Sequence, residues 1–157
     1  MIDFSQMLTR LIVAMVLGAI IGLERERVGK EAGIRTNMIV SAGASIFTIL
    51  AIALPYLIAD SPENALKMAM ENGGYLGIIA SIVSGIGFLG AGIIIKNEDR
   101  VHGLTSAAVV WTTAAIGVLS GLGLFQFAIA STLIITASLY TLRRLNVVER
   151  VRENGLN

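Results

Sequence analysis

Long apolar stretches separate the charged residues of this chain. No Asp, Glu, Lys or Arg occurs in residues 11–23, 36–59, 72–95 and 101–142. A helix needs about 20 mainly apolar residues to cross a hydrocarbon core of about 30 Å. The second and third stretches fit one span each, and the last is long enough for two. The first becomes a span if it begins near Phe4 and includes Arg10. The pattern predicts an all-α integral membrane bundle of about five helices, at 4–23, 38–59, 75–95, 104–121 and 124–142.

These spans form one predicted domain, residues 1–142, followed by a short basic tail, 143–157. The turn between the last two spans falls at Gly121-Leu122-Gly123, since glycine adopts tight turns at little cost. A further short helix is predicted in the loop after the second span. There Ser61 can cap the helix, Pro62 suits its first position, and Glu63 lies at the positive end of the helix dipole. Its apolar side chains would rest on the membrane surface.

Composition supports a membrane protein. Hydrophobic residues make up 55% of the chain, charged residues 15%, and the mean hydropathy is +0.78. A soluble protein of this size needs more polar residues to cover its surface. A soluble monomer and a disordered chain are therefore excluded, and the lipid bilayer is the first expected partner. The absence of cysteine excludes a disulfide scaffold and thiolate chemistry, and a net charge of +1 gives no indication of nucleic-acid binding.

Basic residues predict the orientation of the bundle. From the first interhelical loop to the tail, the segments outside the spans carry four, one, two, no and four Lys or Arg residues. Basic loops remain in the cytoplasm. We therefore expect an external N-terminus and a cytoplasmic C-terminus. The N-terminal segment lacks the basic start and the cleavage site of a signal peptide.

The third span is rich in glycine. Residues 84–92 read SGIGFLGAG and contain a literal GxGxxG. A dinucleotide fingerprint lies between a strand and a helix, with an acidic residue about 20 positions later. This one lies inside an apolar segment, so nucleotide binding is not expected. Small residues at helical spacing favour close packing against the fourth span, with its Ser106, Thr113 and Ser120. A broken helix whose carbonyls line a cavity is the functional alternative.

Several motifs together resemble the membrane domain of the MgtC/SapB family. GLERE closes the first span, GIRT opens the second, SGIGFLGAG lies in the third, and VHGLTSAA leads into the fourth. The resemblance implies a multi-pass protein of the bacterial inner or plasma membrane, linked to magnesium homeostasis and in some members to virulence. It implies either magnesium transport or regulation of other membrane machinery, such as the F-type ATP synthase or phosphate uptake.

The chain departs from the family pattern at two places. Many members carry Arg and Gln where Gly77 and Ser81 stand here. Many also carry a soluble, often ACT-like, cytoplasmic domain, and the expected tail 143–157 holds no such domain. The resemblance therefore does not extend to roles that depend on these features.

Candidate functional residues follow from the motifs. The set at the adjoining ends of the first two spans comprises Glu24, Arg25, Glu26, Arg35 and Thr36, with a Glu24–Arg35 ion pair expected at the cytoplasmic boundary. The third- and fourth-span set comprises Ser84, Gly85, Gly87, Gly90, Gly92 and Thr105. Arg10 is the ionisable residue expected within the membrane, unless its long side chain reaches the outer interface.

Three classes of function compete. Magnesium prefers near-octahedral oxygen ligands, and no Asp or Glu lies within a predicted span. Glycine-helix carbonyls or hydroxyls could still line an ion path, and Mg²⁺ remains a candidate transported or sensed ion, with no resident cofactor. A membrane-embedded regulator, which binds another membrane protein through small-residue faces, needs no pore. An enzyme ranks last because no catalytic set is present. Close-packing faces also predict a homo-oligomer, most simply a dimer.

Overall fold

Helices dominate the computed structural model, which describes residues 2–70, 74–97 and 100–145. The helices are α1 (Phe4–Arg27), α2 (Ile34–Ile58), α3 (Pro62–Met70), α4 (Gly74–Ile93), α5 (Leu104–Leu122) and α6 (Phe125–Arg144). Two short strands, β1 (Ile95–Asn97) and β2 (Arg100–His102), pair in antiparallel fashion between α4 and α5. Only residues 143–145 of the predicted tail belong to the described part of the chain.

Five of the helices, α1, α2, α4, α5 and α6, are long and apolar enough to cross a membrane. The predicted apolar helical segments are therefore confirmed, while their orientation stays a prediction. The charged end of α1 differs from expectation, because the helix continues to Arg27 rather than ending at residue 23. Likewise α2 begins at Ile34 rather than at 38. The loop between them is correspondingly short.

The core lies where α2 and α5 pack together, with α1 against both. One apolar cluster joins α1, α5 and α6 and contains Leu17, Ile21, Val109, Ile116 and Ala128. A second, smaller cluster joins α2 and α5 through Ala44, Ala114 and Val118. The helix α4 reaches this second cluster from the outside.

Two glycine pairs, each spaced by four residues, let the central backbones touch. A Cβ atom on Gly18 of α1 would lie 2.5 Å from the carbonyl oxygen of Asn37, and one on Gly22 would lie 2.6 Å from Ile34 Cα. On α5, a Cβ on Gly117 would collide with the Ser41 carbonyl, and one on Gly121 would lie 2.7 Å from Thr48 Cβ. Both contacts are with α2, so the closest approaches in the bundle surround that helix.

The predicted packing face of α4 is wrong. Gly77, Ser84 and Gly87 are exposed, and a Cβ added at either glycine meets nothing within 4 Å. The helix instead packs through a stripe of isoleucines, Ile79, Ile82 and Ile86, against the second cluster. The small-residue face and the isoleucine stripe both follow the helical period. The isoleucine stripe packs inward because it buries more apolar area than the glycines would. The face of α5 with Ser106, Thr113 and Ser120 is buried, but it packs against α2 and the loop before it rather than against the third span as predicted.

The alternative of a broken third span is also wrong, because α4 is a continuous helix from Gly74 to Ile93. Its carbonyls before the last turn are therefore engaged within the helix. The short helix predicted after the second span is confirmed as α3. Its Asn64 amide donates to Ser61 Oγ at 3.2 Å, which is the expected cap.

The helix α1 contacts the α5–α6 turn through Arg10. Its Nη1 donates to the Gly121 carbonyl oxygen at 2.7 Å. The last carbonyls of a helix lack intrahelical donors and carry partial negative charge. Arg10 therefore serves the end of α5, while its depth in the membrane stays a prediction.

Candidate functional site

Two of the charged residues at the end of α1 are buried by other helices. Glu24 and Arg25 are only 8% and 4% exposed. Glu24 Oε2 lies 3.3 Å from Arg25 Nη1, and Glu24 Oε1 lies 3.7 Å from Nη1 of Arg143, near the end of α6. The Arg143 guanidinium also lies over the Tyr140 ring, 5.5 Å from its centroid. Glu24 therefore joins α1 to α6 through charge.

The expected Glu24–Arg35 pair is wrong. Within the described residues, the ion pairs of Glu24 are with Arg25 and Arg143. Arg35 is exposed in the first turn of α2, and Thr36 is half-buried after it. Arg143 pairs with Glu24 instead. It is distant in sequence, but its helix α6 lies beside α1. The tight loop does bring the two helix ends together, but it does not direct the Arg35 guanidinium inward.

Arg25 retains unused hydrogen-bonding capacity. Its Nε and Nη2 atoms are buried and have no hydrogen-bond partner among the described residues. A guanidinium offers five donors, and a buried unsatisfied donor carries a free-energy cost. Arg25 thus combines a buried charge with donors that an acceptor could engage.

Glu26 has a structural task in the same motif. The turn after α1 reverses at Gly29, whose φ is 64°, and the Lys30 amide donates to the Arg25 carbonyl at 3.1 Å. This turn brings Glu26 Oε2 to within 2.8 Å of the Ile34 amide nitrogen. The carboxylate accepts a hydrogen bond from that amide and so caps the start of α2. A Cβ on Gly33 would lie 2.6 Å from that oxygen. The motif GLERE and the motif GIRT therefore meet as one connected turn.

Sequence reasoning missed Glu31, which ties this loop to α5. Ser106 Oγ donates to Glu31 Oε2 at 2.6 Å. The hydrogen bond from Ser106 lowers the pKa of Glu31 from its ordinary value, because it stabilises the charged form. A carboxylate in a loop of six residues between two spans was the available signal.

Asn37 was also missed, although it is completely buried. Its Nδ2 donates to the carbonyls of Ala32 at 2.8 Å and Gly33 at 3.0 Å, and its Oδ1 accepts from Thr113 Oγ1 at 2.8 Å. Because every polar atom is satisfied, this amide fixes the loop and α2 relative to α5. An amide inside an otherwise apolar span could have indicated such a role.

The remaining predicted residues lie apart from the charged cluster formed by Glu24, Arg25 and Arg143. Ser84, Gly85, Gly87 and Gly92 are exposed on α4, and Thr105 is exposed at the start of α5. Gly90 alone in this set is buried, with its added Cβ 3.7 Å from Ala107 Cβ. Since α4 packs mainly on α5 and α2, its small-residue segment forms an outer face of the bundle.

The charged cluster has no obvious metal-binding arrangement. In residues 2–70, 74–97 and 100–145, no three His, Cys, Asp or Glu side chains lie close enough to share an ion. The carboxylate of Glu24 is instead neighboured by guanidinium groups. The arrangement can hold helices together and can bind an acceptor or an anion.

Comparison with known proteins gives consistent similarities. The sequence profile of the MgtC family matches residues 11–148. The chain is 43% identical to "Protein MgtC" of Salmonella typhimurium strain LT2 over 85% of its own length and 51% of that protein. It is 33% identical to "Protein SrpB" of Synechococcus elongatus over 97% of its length and 83% of that protein. An uncharacterised Haemophilus influenzae protein is 39% identical, with 88% and 55% covered.

The chain spans about half the length of the Salmonella and Haemophilus relatives that it matches. No solved structure matches it.

Proposed function

The chain belongs to the MgtC family, and from that premise we propose that it acts in magnesium homeostasis as a membrane-embedded regulator of another membrane protein. It is a multi-pass membrane protein of MgtC type. The choice between regulation and magnesium transport, both implied by the resemblance, depends on the interior of the bundle.

The observation that carries the proposal is the close contact of the central backbones. Gly117 touches the Ser41 carbonyl, and an added Cβ on Gly18 would lie 2.5 Å from the Asn37 carbonyl oxygen. Magnesium gives up its bound waters reluctantly, and these contacts leave no space for a hydrated ion where α1 and α5 meet α2. The groove of about 340 Å³ between α2 and α4 is lined mainly by apolar side chains, which are poor ligands for such an ion. The centre of the bundle is therefore suited to holding helices rigidly.

The charges around Glu24 argue against magnesium binding there, and so favour regulation over transport. Glu24 has guanidinium nitrogens of Arg25 and Arg143 at 3.3 and 3.7 Å. Two unit charges interact strongly at such separations when water is limited. A divalent cation at Glu24 would be repelled by both arginines, so this carboxylate is a poor ligand for Mg²⁺.

The outer face of α4 supplies a surface for a partner helix. Its small residues Gly77, Ser84 and Gly87 are exposed at spacings that place them together. Small residues allow two helix backbones to approach closely in lipid, where hydrophobic burial gives little driving force. A transmembrane helix of the regulated protein is the proposed occupant.

The test combines growth and ion flux. In a strain lacking its own copy, the protein should restore growth at low magnesium, and proteoliposomes containing it should show no more Mg²⁺ entry than empty vesicles. Gly87→Leu should abolish rescue, whereas Ala130→Leu, which adds a bulky side chain at an exposed position of α6, should not. Membrane levels and thermal midpoints of both variants should equal those of the parent.

Saturable Mg²⁺ flux that depends on the protein would overturn the regulatory proposal in favour of magnesium transport. Full rescue by Gly87→Leu would eliminate α4 as the contact face. The resemblance suggests the F-type ATP synthase and phosphate-uptake machinery as partner classes, which cross-linking from Gly87→Cys can separate. The homo-oligomer stays a prediction, measured by the mass of the purified protein.

A further inference from the structure

A groove of about 540 Å³ lies between α1 and α6, at the charged end of the bundle. Its walls are apolar over most of their length and include Ile20 and Leu133, which are exposed on the outer surface. Arg27, Arg143 and Glu24 line it as well. The groove therefore joins an apolar channel to a charged region.

The charged region has an excess of positive charge. Glu24 is balanced by the Arg25 guanidinium at 3.3 Å, and Arg143 lies 3.7 Å from its second oxygen. Arg27 lies on the exposed surface of the same groove. Two guanidinium groups, those of Arg27 and Arg143, therefore line the groove beside one carboxylate, and the excess of positive charge favours an anion.

Arg143 is an exposed cation whose guanidinium is held over a neighbouring ring. Its guanidinium lies 5.5 Å from the centroid of the Tyr140 ring and its side chain is 46% exposed. Long basic side chains in such positions bury their apolar stems and keep the charge at the membrane interface. The stacking on Tyr140 limits the freedom of the guanidinium, which lowers the entropy lost when it binds an acceptor.

An unused hydroxyl lies deeper in the same groove. The hydroxyls of Thr112 and Thr132 donate to the carbonyls four residues earlier, at 2.7 and 2.8 Å. This bonding satisfies a hydroxyl within an apolar helix. Thr136 lines the groove, and its Oγ1 is buried without a hydrogen-bond partner in the described part of the chain. It remains available to donate to a ligand.

We propose that this groove binds one anionic phospholipid. The phosphate lies between Arg27 and Arg143, an acyl chain follows the wall formed by Ile20 and Leu133, and Thr136 Oγ1 donates to an ester carbonyl oxygen. Basic pockets between spanning helices are known to select acidic headgroups. A soluble anion could satisfy the arginines but would leave the apolar wall uncovered, so the continuous groove favours a lipid.

The experiment compares lipids added to the detergent-purified chain. Phosphatidylglycerol should raise the thermal midpoint, whereas phosphatidylcholine at the same mole fraction should not. Native mass spectrometry should show one retained phosphatidylglycerol. Arg27→Gln/Arg143→Gln should weaken its binding roughly tenfold or more, since each juxtamembrane basic residue strengthens association with acidic lipids.

Two further variants separate the groove from general surface charge. Lys30→Gln/Arg144→Gln removes the same number of charges outside the groove and should retain the lipid. Ala137→Phe adds a ring to the apolar wall, keeps all charges, and should also weaken binding. Because these variants alter exposed positions, their unliganded midpoints should match the parent.

Equal loss in both charge variants would overturn the proposal by reducing it to non-specific attraction. Equal stabilisation by inorganic phosphate would likewise overturn it, since the apolar wall would then contribute nothing. Unchanged lipid retention in Ala137→Phe would also contradict the assigned acyl channel. The lipid measurement needs no growth assay, so its outcome is independent of the regulatory role proposed above.

Discussion

Glu24→Gln and Arg25→Gln should each destabilise the bundle by about 3 kcal/mol. Removing one partner of a buried ion pair costs about 3–5 kcal/mol, because the remaining charge is left uncompensated. Glu24 and Arg25 are 8% and 4% exposed, with their closest charged atoms 3.3 Å apart. The pair lies at the end of a helix, where interfacial water can reach the vacated space, so we place the cost at the lower limit of that range.

Arg143→Gln is the matched control. It removes the second guanidinium near Glu24, but the Arg143 side chain is 46% exposed and its contact is 3.7 Å long. A pair with one solvent-exposed partner and a contact of this length is expected to contribute about 0–1 kcal/mol. The three variants therefore separate the buried pair from the exposed one, although all three change a charge at the same cluster.

The assay is reversible unfolding in mixed detergent micelles, followed by circular dichroism. The double variant Glu24→Gln/Arg25→Gln should cost less than either single variant, because neither buried charge is left uncompensated; residues in direct contact are not expected to be additive. A cost of about 6 kcal/mol, the sum of the two single values, would refute the coupling between the two buried charges. A cost for Glu24→Gln no larger than that for Arg143→Gln would refute its burial as well.

Three further outcomes are expected. Gly18→Ala should cost about 1–3 kcal/mol by overpacking the α1–α2 contact, while Gly87→Ala, in open space, should not destabilise; equal midpoints would contradict the backbone contact. Single cysteines at Asn64 and Asn97 should be labelled from outside and inside respectively; the reverse pattern would invert the orientation. Glu31, whose pKa is lowered by its hydrogen bond, should contribute stability above its ordinary value of 4.5 that is lost as the pH falls through its lower folded value. In Glu31→Gln this acid dependence should shrink, and an unchanged pH profile measured by thermal melting would exclude the contribution.

Particular ends of the helices show where sequence reasoning stops. The apolar run of the first span ends at Leu23, yet α1 continues through Glu24 and Arg25 to Arg27. Charges usually end a predicted span, but here α6 supplies Arg143 and shields the pair. A contact between residues so far apart in the chain leaves no local pattern.

The packing of the glycines also could not be predicted from local sequence patterns. Helical spacing correctly identified which residues of α4 share a face, but it did not reveal that this face is exposed and that Gly18 and Gly117 are the ones pressed against α2. Periodicity fixes the angle of a side chain around its own helix. The rotation of that helix toward its neighbours depends on the total burial in the assembled bundle.

Local sequence features were enough to predict the membrane class, the five long apolar helices, the capped helix α3 and the family. These follow from local quantities: the length of apolar runs relative to a bilayer, capping residues at a helix start, and motifs in a fixed order. The packed bundle was needed to show that Glu24 pairs with Arg25 and Arg143 rather than with Arg35. It was also needed to show that Glu31 and Asn37 anchor the first loop to α5, and which glycines are in contact. Those features depend on which helix faces are adjacent in space, and adjacency is settled by the packing of all the helices at once.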